Sequence, residues 1–234
     1  MKKVLTFILS ISIAVSAFAQ GNSIPKSSKL AEELPEILPD SVKYRYPLIN
    51  GVSITANIFD PIMALFAMDH ANYEVTGTLD LHHRFFPQFS AGLGYSNEQN
   101  DNQLGFKVKA SPFFKVGVLY NLKYNSTQPK YFYYFLLRYG WSTCTAEIEN
   151  IKFTDGYWPD YVPGQTYEQS YNNHWFELGG GVKVHMGGPI YLGWELSIRP
   201  LLSSGDNKYG SPYFVPGRGT HWLNFAFNLT YDIF

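Results

Sequence analysis

The chain has 234 residues and a formal net charge of −1, with 16% charged and 18% aromatic side chains. A charge balance this close to zero leaves no basic surface for nucleic acid, and the apolar and aromatic content is too high for a disordered chain. The single cysteine excludes an intramolecular disulfide framework and a four-cysteine zinc site.

The first 19 residues have the pattern of a secretory signal peptide. Lys2 and Lys3 precede an apolar run over residues 4–15, and Ala17-Phe18-Ala19 forms a small-residue cleavage site. The alternative is a membrane anchor, but a spanning helix needs about 20 apolar residues, and this run is shorter. We therefore predict a signal peptide over residues 1–19 and an exported mature chain.

The mature chain divides into two parts of different composition. Prolines recur over residues 20–46 around one short segment able to form a helix, which predicts a flexible periplasmic tail. From Gly51 onward apolar residues recur with a period of two, which predicts strands and a β-barrel domain over residues 47–234. Eight segments follow this pattern: 52–58, 74–85, 89–96, 114–123, 133–142, 176–186, 190–199 and 223–233.

The connections between these segments alternate in length. Residues 104–110 keep the alternation of the fourth segment, which predicts one long strand bent at Pro112. Short turns are predicted at 86–88, 125–130 and 187–189, and long connections at 60–72, 97–103, 143–173 and 203–219. If successive strands reverse direction, every long connection lies on one side, as in bacterial outer-membrane barrels.

Side-chain size indicates which face of the barrel points inward. A soluble barrel such as a lipocalin also alternates, with its apolar face inward. The apolar face here carries large side chains, whereas an eight-stranded interior is only just wide enough for ordinary ones. The opposite face is rich in Gly, Ser, Thr and Asn, which fit that space. We therefore predict an all-β, eight-stranded antiparallel up-and-down transmembrane β-barrel whose apolar face contacts lipid.

Four segments carry a resemblance to a known family: SPFFKVGVLYNL (111–122), LRYGWS (137–142), WFELGGGVKV (175–184) and YLGWELSIRPLL (191–202). Together with the cleavage site and the aromatic-rich final strand, they resemble an uncharacterised family of small Bacteroidetes outer-membrane β-barrel proteins of the OmpX/OmpW-like, porin-type superfamily. The resemblance implies a location in the outer membrane of a Gram-negative bacterium, contact with outer-membrane lipid, and insertion by the barrel-assembly machinery. It specifies no chemistry.

The face expected to point inward carries charges of both signs. A charge in a narrow interior is partly stripped of water and needs a partner. We therefore expect an ion-pair network that fills the barrel, formed by Glu74, Asp80, Arg84, Lys115, Arg138, Glu177, Lys183, Glu195 and Arg199. Lys109 is also expected to point inward. The alternative that stays open is a gated path for a small solute.

Histidine and hydroxyl residues do not assemble into a catalytic motif. His82 and His83 are adjacent on one predicted strand, so only His82 is expected to point inward and the two do not converge on a metal. A lipid-modifying acyltransferase or esterase needs a serine, a histidine and a carboxylate within hydrogen-bond reach. Ser142, His174 and Glu177 are candidates, but His174 is expected to face outward and Glu177 inward. We expect no enzyme activity, no metal and no other cofactor.

The long connections contain one predicted helix and many aromatic residues. Asp60 and Pro61 predict a helix start with Asp60 as the cap, followed by the helical residues 62–68. Aromatic loops suit recognition of an extracellular protein or glycan, and self-packing of a long loop is the alternative. These aromatic residues are Tyr157, Trp158, Tyr161, Tyr167, Tyr171, Tyr209, Tyr213 and Phe214. The expected function is a structural or surface-interaction role, with a lipid-modifying enzyme and a narrow small-solute channel as alternatives.

Overall fold

The computed structural model describes residues 47–65, 69–99, 105–124, 131–149, 166–205 and 211–233. They belong to one compact unit, Lys43–Phe234. The predicted signal peptide (1–19) and tail (20–46) lie outside the described residues, and so do the turn predicted at 125–130, the last residues of the predicted helix (66–68) and four of the loop aromatics: Tyr157, Trp158, Tyr161 and Tyr209.

The described residues form strands and one short helix. In chain order these are β1 (Ile49–Asn57), α1 (Phe59–Leu65), β2 (His70–Leu81), β3 (Phe85–Gln99), β4 (Gly105–Asn121), β5 (Tyr131–Glu149), β6 (Thr166–Gly187), β7 (Ile190–Ile198), β8 (Leu201–Ser203) and β9 (Leu223–Asp232). No helix in these ranges is long and apolar enough to cross a bilayer.

The strands pair antiparallel in a closed ring. Neighbours in sequence pair from β1 to β7, β7 pairs with β9, and β9 returns to β1, so that eight strands surround one interior. The three-residue β8 continues the edge of β7 along β6, where Leu201 lies opposite Trp175. Pro200 separates β7 from β8 because proline has no N–H for the ladder. The predicted eight-stranded antiparallel up-and-down barrel is therefore confirmed.

The two faces of the ring differ in the way that side-chain size predicts. Large apolar side chains on the outer face are exposed, for example Phe89 (59%), Val116 (57%) and Phe135 (47%). The inner face carries buried hydroxyl and amide groups, and Thr55 and Thr230 bond to each other across it at 2.8 Å. The inner face thus carries buried polar groups while the outer face is apolar, and a soluble barrel has the opposite arrangement.

The turn between β2 and β3 lies earlier than predicted. The N–H of Arg84 donates to the carbonyl of Leu81 at 3.1 Å, and His82 and His83 both have positive φ (54° and 55°). His82 and His83 are the central residues of a mirror-image β-turn, a type that suits the twist of a hairpin, and the connection between the strands is residues 82–84. The turn predicted at 86–88 is therefore wrong, and Pro87 lies inside β3 opposite Val118.

β4 is one long strand, as predicted, but the alternation of inward and outward residues reverses between its first and second halves. The pairing with β5 shifts between Val108 and Phe113, which marks a bulge next to Pro112. Because the bulge inserts one residue, Val108 points inward together with Lys115, and Lys109 points outward. The prediction that residues 104–110 keep the phase of the later half is wrong, and so is the inward placement of Lys109, which is exposed and pairs with Glu147 at 2.6 Å.

We call the side of the barrel with the long connections the long-loop end and the other side the short-turn end. Strands β3 to β6 extend beyond their neighbours at the long-loop end. β5 and β6 have 19 and 22 residues and stay paired to Glu149 and Thr166. Residues 143–149 and 166–173 of the long connection predicted at 143–173 are therefore strand, and residues 150–165 lie outside the described residues. On the opposite edge, β2 begins at His70, opposite Ser96. We call the projecting part of β3–β6 the wall (97–99, 105–110, 143–149 and 166–173).

Helix α1 follows β1 at the long-loop end. Its first N–H, that of Phe59, is bonded by the side-chain oxygen of Asn57 at 2.9 Å, so Asn57 and not Asp60 caps the helix. The Phe59 ring packs edge-on against Phe225 of β9 with centroids 5.6 Å apart. The helix is thereby attached to the rim of the barrel.

Candidate functional site: the charged interior

Six charged side chains meet in the middle of the barrel, and we call them the charged layer: Glu74, Lys115, Arg138, Glu177, Glu195 and Arg199. Lys115 Nζ lies 2.8 Å from Glu74 Oε2 and 3.0 Å from Glu177 Oε1. Arg138 contacts all three carboxylates: Nη1 lies 3.5 Å from Glu74, Nε lies 3.2 Å from Glu177, and Nη2 contacts Glu195. Arg199 Nε lies 3.1 Å from Glu177 Oε1.

Strand register brings these residues to one level. Arg138 of β5 lies directly opposite Glu177 of β6. Lys115 of β4 lies opposite Gly140 of β5, which has no side chain to compete for space. A Cβ on Gly140 would clash with the indole of Trp175, and this indole donates to Glu177 Oε1 at 3.0 Å. Small residues therefore make room for the long charged side chains and for the ring that orients one of them.

The charged layer is balanced, with three carboxylates against three cations. Lys115 (1% exposed) and Glu177 (0%) are among the most buried residues of the chain. Burying an ion costs several kcal/mol unless partners replace its water. Each cation here has at least one carboxylate within 3.5 Å, and Glu177 has contacts with all three cations. The six side chains together carry no net charge, but removal of any one of them would leave a buried net charge.

Three of the nine residues predicted for the network lie apart from it. Asp80 accepts hydrogen bonds at the short-turn end, from His83 N at 2.7 Å, His83 Nδ1 at 2.9 Å and Asn50 Nδ2 at 2.8 Å. The guanidinium of Arg84 packs against the rings of Phe85, Tyr120 and Tyr124, between 4.7 and 5.3 Å from their centroids. Lys183 is buried with its ammonium 5.7 Å from the Phe132 centroid. Within the described residues, neither Arg84 nor Lys183 forms an ion pair with the six.

Sequence reasoning missed apolar side chains above and below the charged layer. Toward the short-turn end a mainly aromatic cluster, which we call the aromatic layer, lies in the bore: Phe86, Leu119, Phe132, Tyr134 and Leu136. At the long-loop end, Phe113, Trp175 and Val215 pack together. The inner face of the wall packs against Phe214 through Val108, Cys144, Ala146 and Tyr171. The run 132–137 is apolar at every position, which indicates apolar side chains on both faces of the strand, but the pattern does not tell which of them point inward.

Little open space is left at the level of the charges. The cavity among Glu74, Arg138 and Glu195 has a volume of about 20 Å³, and a single water needs roughly 10–15 Å³. A larger cavity of about 230 Å³ lies toward the short-turn end, beside Asp80, Lys183 and Asp232. The charged layer therefore leaves less open space in the bore than the short-turn end does.

The three side chains considered for lipid chemistry are separated. Ser142 is buried and lies opposite Asn173, whose Nδ2 is 3.5 Å from the Ser142 hydroxyl. His174 faces outward and bonds through Nδ1 to the Tyr139 hydroxyl at 2.7 Å. Glu177 is part of the charged layer. The structure thus places Ser142 and His174 on opposite faces of the sheet.

The two adjacent histidines are also placed differently from the prediction. His82 is exposed, whereas His83 is buried and packs against Phe86 and Phe132, because both residues belong to the turn and not to an alternating strand. Among the described residues, no group of three His, Cys, Asp or Glu side chains is arranged to hold a metal ion.

Of the aromatic residues assigned to outer loops, Tyr167 and Tyr171 lie on β6, and Tyr171 is fully buried. Phe214 is also fully buried, while Tyr213 is half exposed and packs edge-on against Phe106 at 6.2 Å. In the described part of the long connections, self-packing therefore accounts for most of these rings.

No curated protein matches this sequence. A family model matches the chain over residues 1–234, its whole length. The protein therefore belongs to the family described as a domain of unknown function, DUF6048.

Proposed function

We propose that this protein is a transmembrane β-barrel of the Gram-negative outer membrane, closed to solutes, with a structural or surface-contact role in the cell envelope. The observation that carries the proposal is the reversed polarity of the ring. Exposed apolar side chains cover the outside, and a balanced set of ions is buried inside. An outer face of this kind is stable in hydrocarbon, where a closed barrel satisfies every backbone group.

The position of apolar and polar residues along the outer face of β5 supports the same proposal. The outward residues of β5 are apolar from Tyr133 to Trp141 and change to Thr143 and Thr145 in the wall. Exposed Trp141 lies at this boundary, where aromatic residues of membrane barrels meet the lipid headgroups. A strand needs about 9–11 residues to cross the hydrocarbon, so the apolar part of β5 has a suitable length.

The layers within the barrel support a closed interior. The charged layer leaves a space of about 20 Å³, and the apolar clusters on either side fill the bore further. We therefore favour a filled barrel over a channel. The apolar segment and cleavage site over residues 1–19, together with the resemblance to small outer-membrane barrels, support export and insertion by the assembly machinery. Outer-membrane lipid is the constant partner, and an extracellular protein or glycan is the proposed partner at the long-loop end.

The experiment combines localisation with conductance. Antibody detection after separation of inner and outer membranes should find the protein in the outer-membrane fraction, extracted only by detergent. Purified protein in planar bilayers should give no steady conductance. Recovery in the soluble periplasmic fraction would overturn the membrane proposal, whereas steady ion-conducting steps would overturn only the closed interior and favour the channel. Acyl release from labelled lipid would favour the enzymatic alternative, and Ser142→Ala would then test its nucleophile.

A further inference from the structure

A tight turn at the long-loop end holds one arginine in a fixed position. Val215 is fully buried against Phe113 and Trp175, and its carbonyl accepts the N–H of Arg218 at 3.0 Å and that of Gly219 at 2.7 Å. We call residues 215–219 the arginine turn. Gly217 has a φ of 80°, and a Cβ there would lie 2.5 Å from the Phe113 ring, so only glycine fits. Its N–H donates to Asn72 Oδ1 at 2.7 Å.

Arg218 has no carboxylate partner among the described residues. Its Nε donates to the carbonyl of Arg199 at 2.8 Å, and Arg199 Nη1 lies 3.2 Å from the carbonyl of Arg218. The charge of Arg199 is matched by Glu177. Burial and the nearby Arg199 lower the pKa of the Arg218 guanidinium, the direction expected for a cation that lacks a counter-ion. The terminal nitrogens of Arg218 are therefore available to an anion.

The guanidinium lines a cavity of about 160 Å³ beneath helix α1, together with Asp60, His70, Thr220, His221 and Asn224. Asn224 Nδ2 is buried and has no hydrogen-bond partner, and a buried donor of this kind costs free energy until a ligand accepts from it. His70 is engaged by Glu98. Asp60 is hydrogen-bonded by the Asn72 amide and lies near Arg199, and burial nevertheless raises the pKa of its carboxyl. The Asn224 amide N–H, which lacks an acceptor, and the Arg218 guanidinium, which lacks a carboxylate partner in the described part of the chain, are thus both donors.

We propose that this cavity binds a phosphate-type oxyanion between the Arg218 guanidinium and the Asn224 amide. Two parallel N–H groups of an arginine match two oxygens of a phosphate, and the arginine turn supplies that geometry before the ligand arrives. The ligand is either a free phosphate ester or a phosphate monoester on a lipid headgroup, because both present the same oxygens. Asp60 repels such an anion and sets an upper limit on its affinity.

The test is a titration of the full purified chain in detergent micelles with inorganic phosphate, followed by ³¹P NMR line broadening. Arg218→Gln should weaken binding by about tenfold or more, since a charge-assisted hydrogen bond is worth about 1.5–3 kcal/mol. Lys109→Gln removes an exposed cation from the outer face of the wall and should leave the affinity unchanged. Asp60→Asn should strengthen binding, which a variant that merely damages the fold would not do. Far-UV circular dichroism checks each variant.

A second arm adds phosphatidic acid to the micelles. Displacement of inorganic phosphate by this lipid would support a headgroup as the ligand, and persistence of phosphate binding without displacement would support a soluble ester. Absence of saturable binding by the wild-type protein to either probe would overturn the proposal, as would Arg218→Gln binding like the wild type or Asp60→Asn binding more weakly. Since the titration is done in micelles, its outcome does not depend on where the barrel resides in the cell.

Discussion

The charged layer and the aromatic layer are neighbours in one bore but are held by different forces. Glu177 contacts three cations, whereas Phe86 and Phe132 stack at 5.4 Å with no directional bond. The charged layer leaves a cavity of about 20 Å³, and a cavity of about 230 Å³ lies beside the aromatic layer. In this barrel, less open space is therefore left among the paired ions than beside the rings. The disadvantage of the charged layer is that removal of any one member leaves the others with an unbalanced buried charge.

Removing one carboxylate from the charged layer should have the largest effect. We expect Glu177→Gln to lower the free energy of unfolding by about 3–5 kcal/mol, because three buried cations would lose a shared partner. Urea unfolding in micelles, followed by tryptophan fluorescence and by the heat-dependent gel shift of folded barrels, measures this loss. Glu147→Gln is the matched control, since Glu147 forms its ion pair within the described ranges with exposed Lys109 on the wall. Equal free energies of unfolding for the two variants would mean that the charged layer does not stabilise the folded barrel.

Removing one ring from the aromatic layer should cost less. We expect Phe132→Ala to lower the free energy of unfolding by about 3 kcal/mol, near the low end for buried phenylalanine, because the adjacent cavity admits water. Phe135→Ala is the matched control on the same strand and the opposite face. It should have a smaller effect in the same urea titration. A larger loss from Phe135→Ala would contradict the assignment of the two faces.

The apolar cluster on the inner face of the wall can be tested by chemical labelling of its cysteine, without a substitution in the wild-type chain. Cys144 belongs to the apolar cluster on the inner face of the wall, and burial raises the pKa of its thiol to about 11. At pH 8 only about one thousandth of such a thiol is thiolate, so iodoacetamide should alkylate the folded protein about two orders of magnitude more slowly than the unfolded chain. Mass spectrometry measures the rates. Thr143→Cys in a Cys144→Ser background, exposed on the outer face, should react quickly. Rapid labelling of folded Cys144 would show that the cluster opens.

Much of the fold was predictable because a period of two is a strong signal over eight strands. The size of the outward side chains also indicated the face that is exposed, and six of the nine residues predicted for the interior meet there. Glu177 was predictable because it lies between Phe176 and Leu178, and Arg138 because it is a charged residue between Leu137 and Tyr139.

The errors occurred where one residue changes the phase of a strand. The bulge before Phe113 reverses the faces of the first half of β4, and no residue type marks it uniquely. The turn at His82 and His83 lacks the glycine or asparagine that usually indicates this turn type. Trp175 is fully buried, and its place depends on Gly140 of the facing strand, which is distant in sequence. Such dependence between strands is visible only once the register is known.

The wall has a consequence for how the protein meets its surroundings. β6 has 22 residues, about twice what a bilayer crossing requires, and it remains paired with β5 from Thr166 to Val184. In a membrane such a projection would be a stiff platform outside the lipid, held at a constant height by the strands that continue into the barrel. A binding partner at the cell surface would meet a preformed β-sheet and would lose little affinity to ordering it.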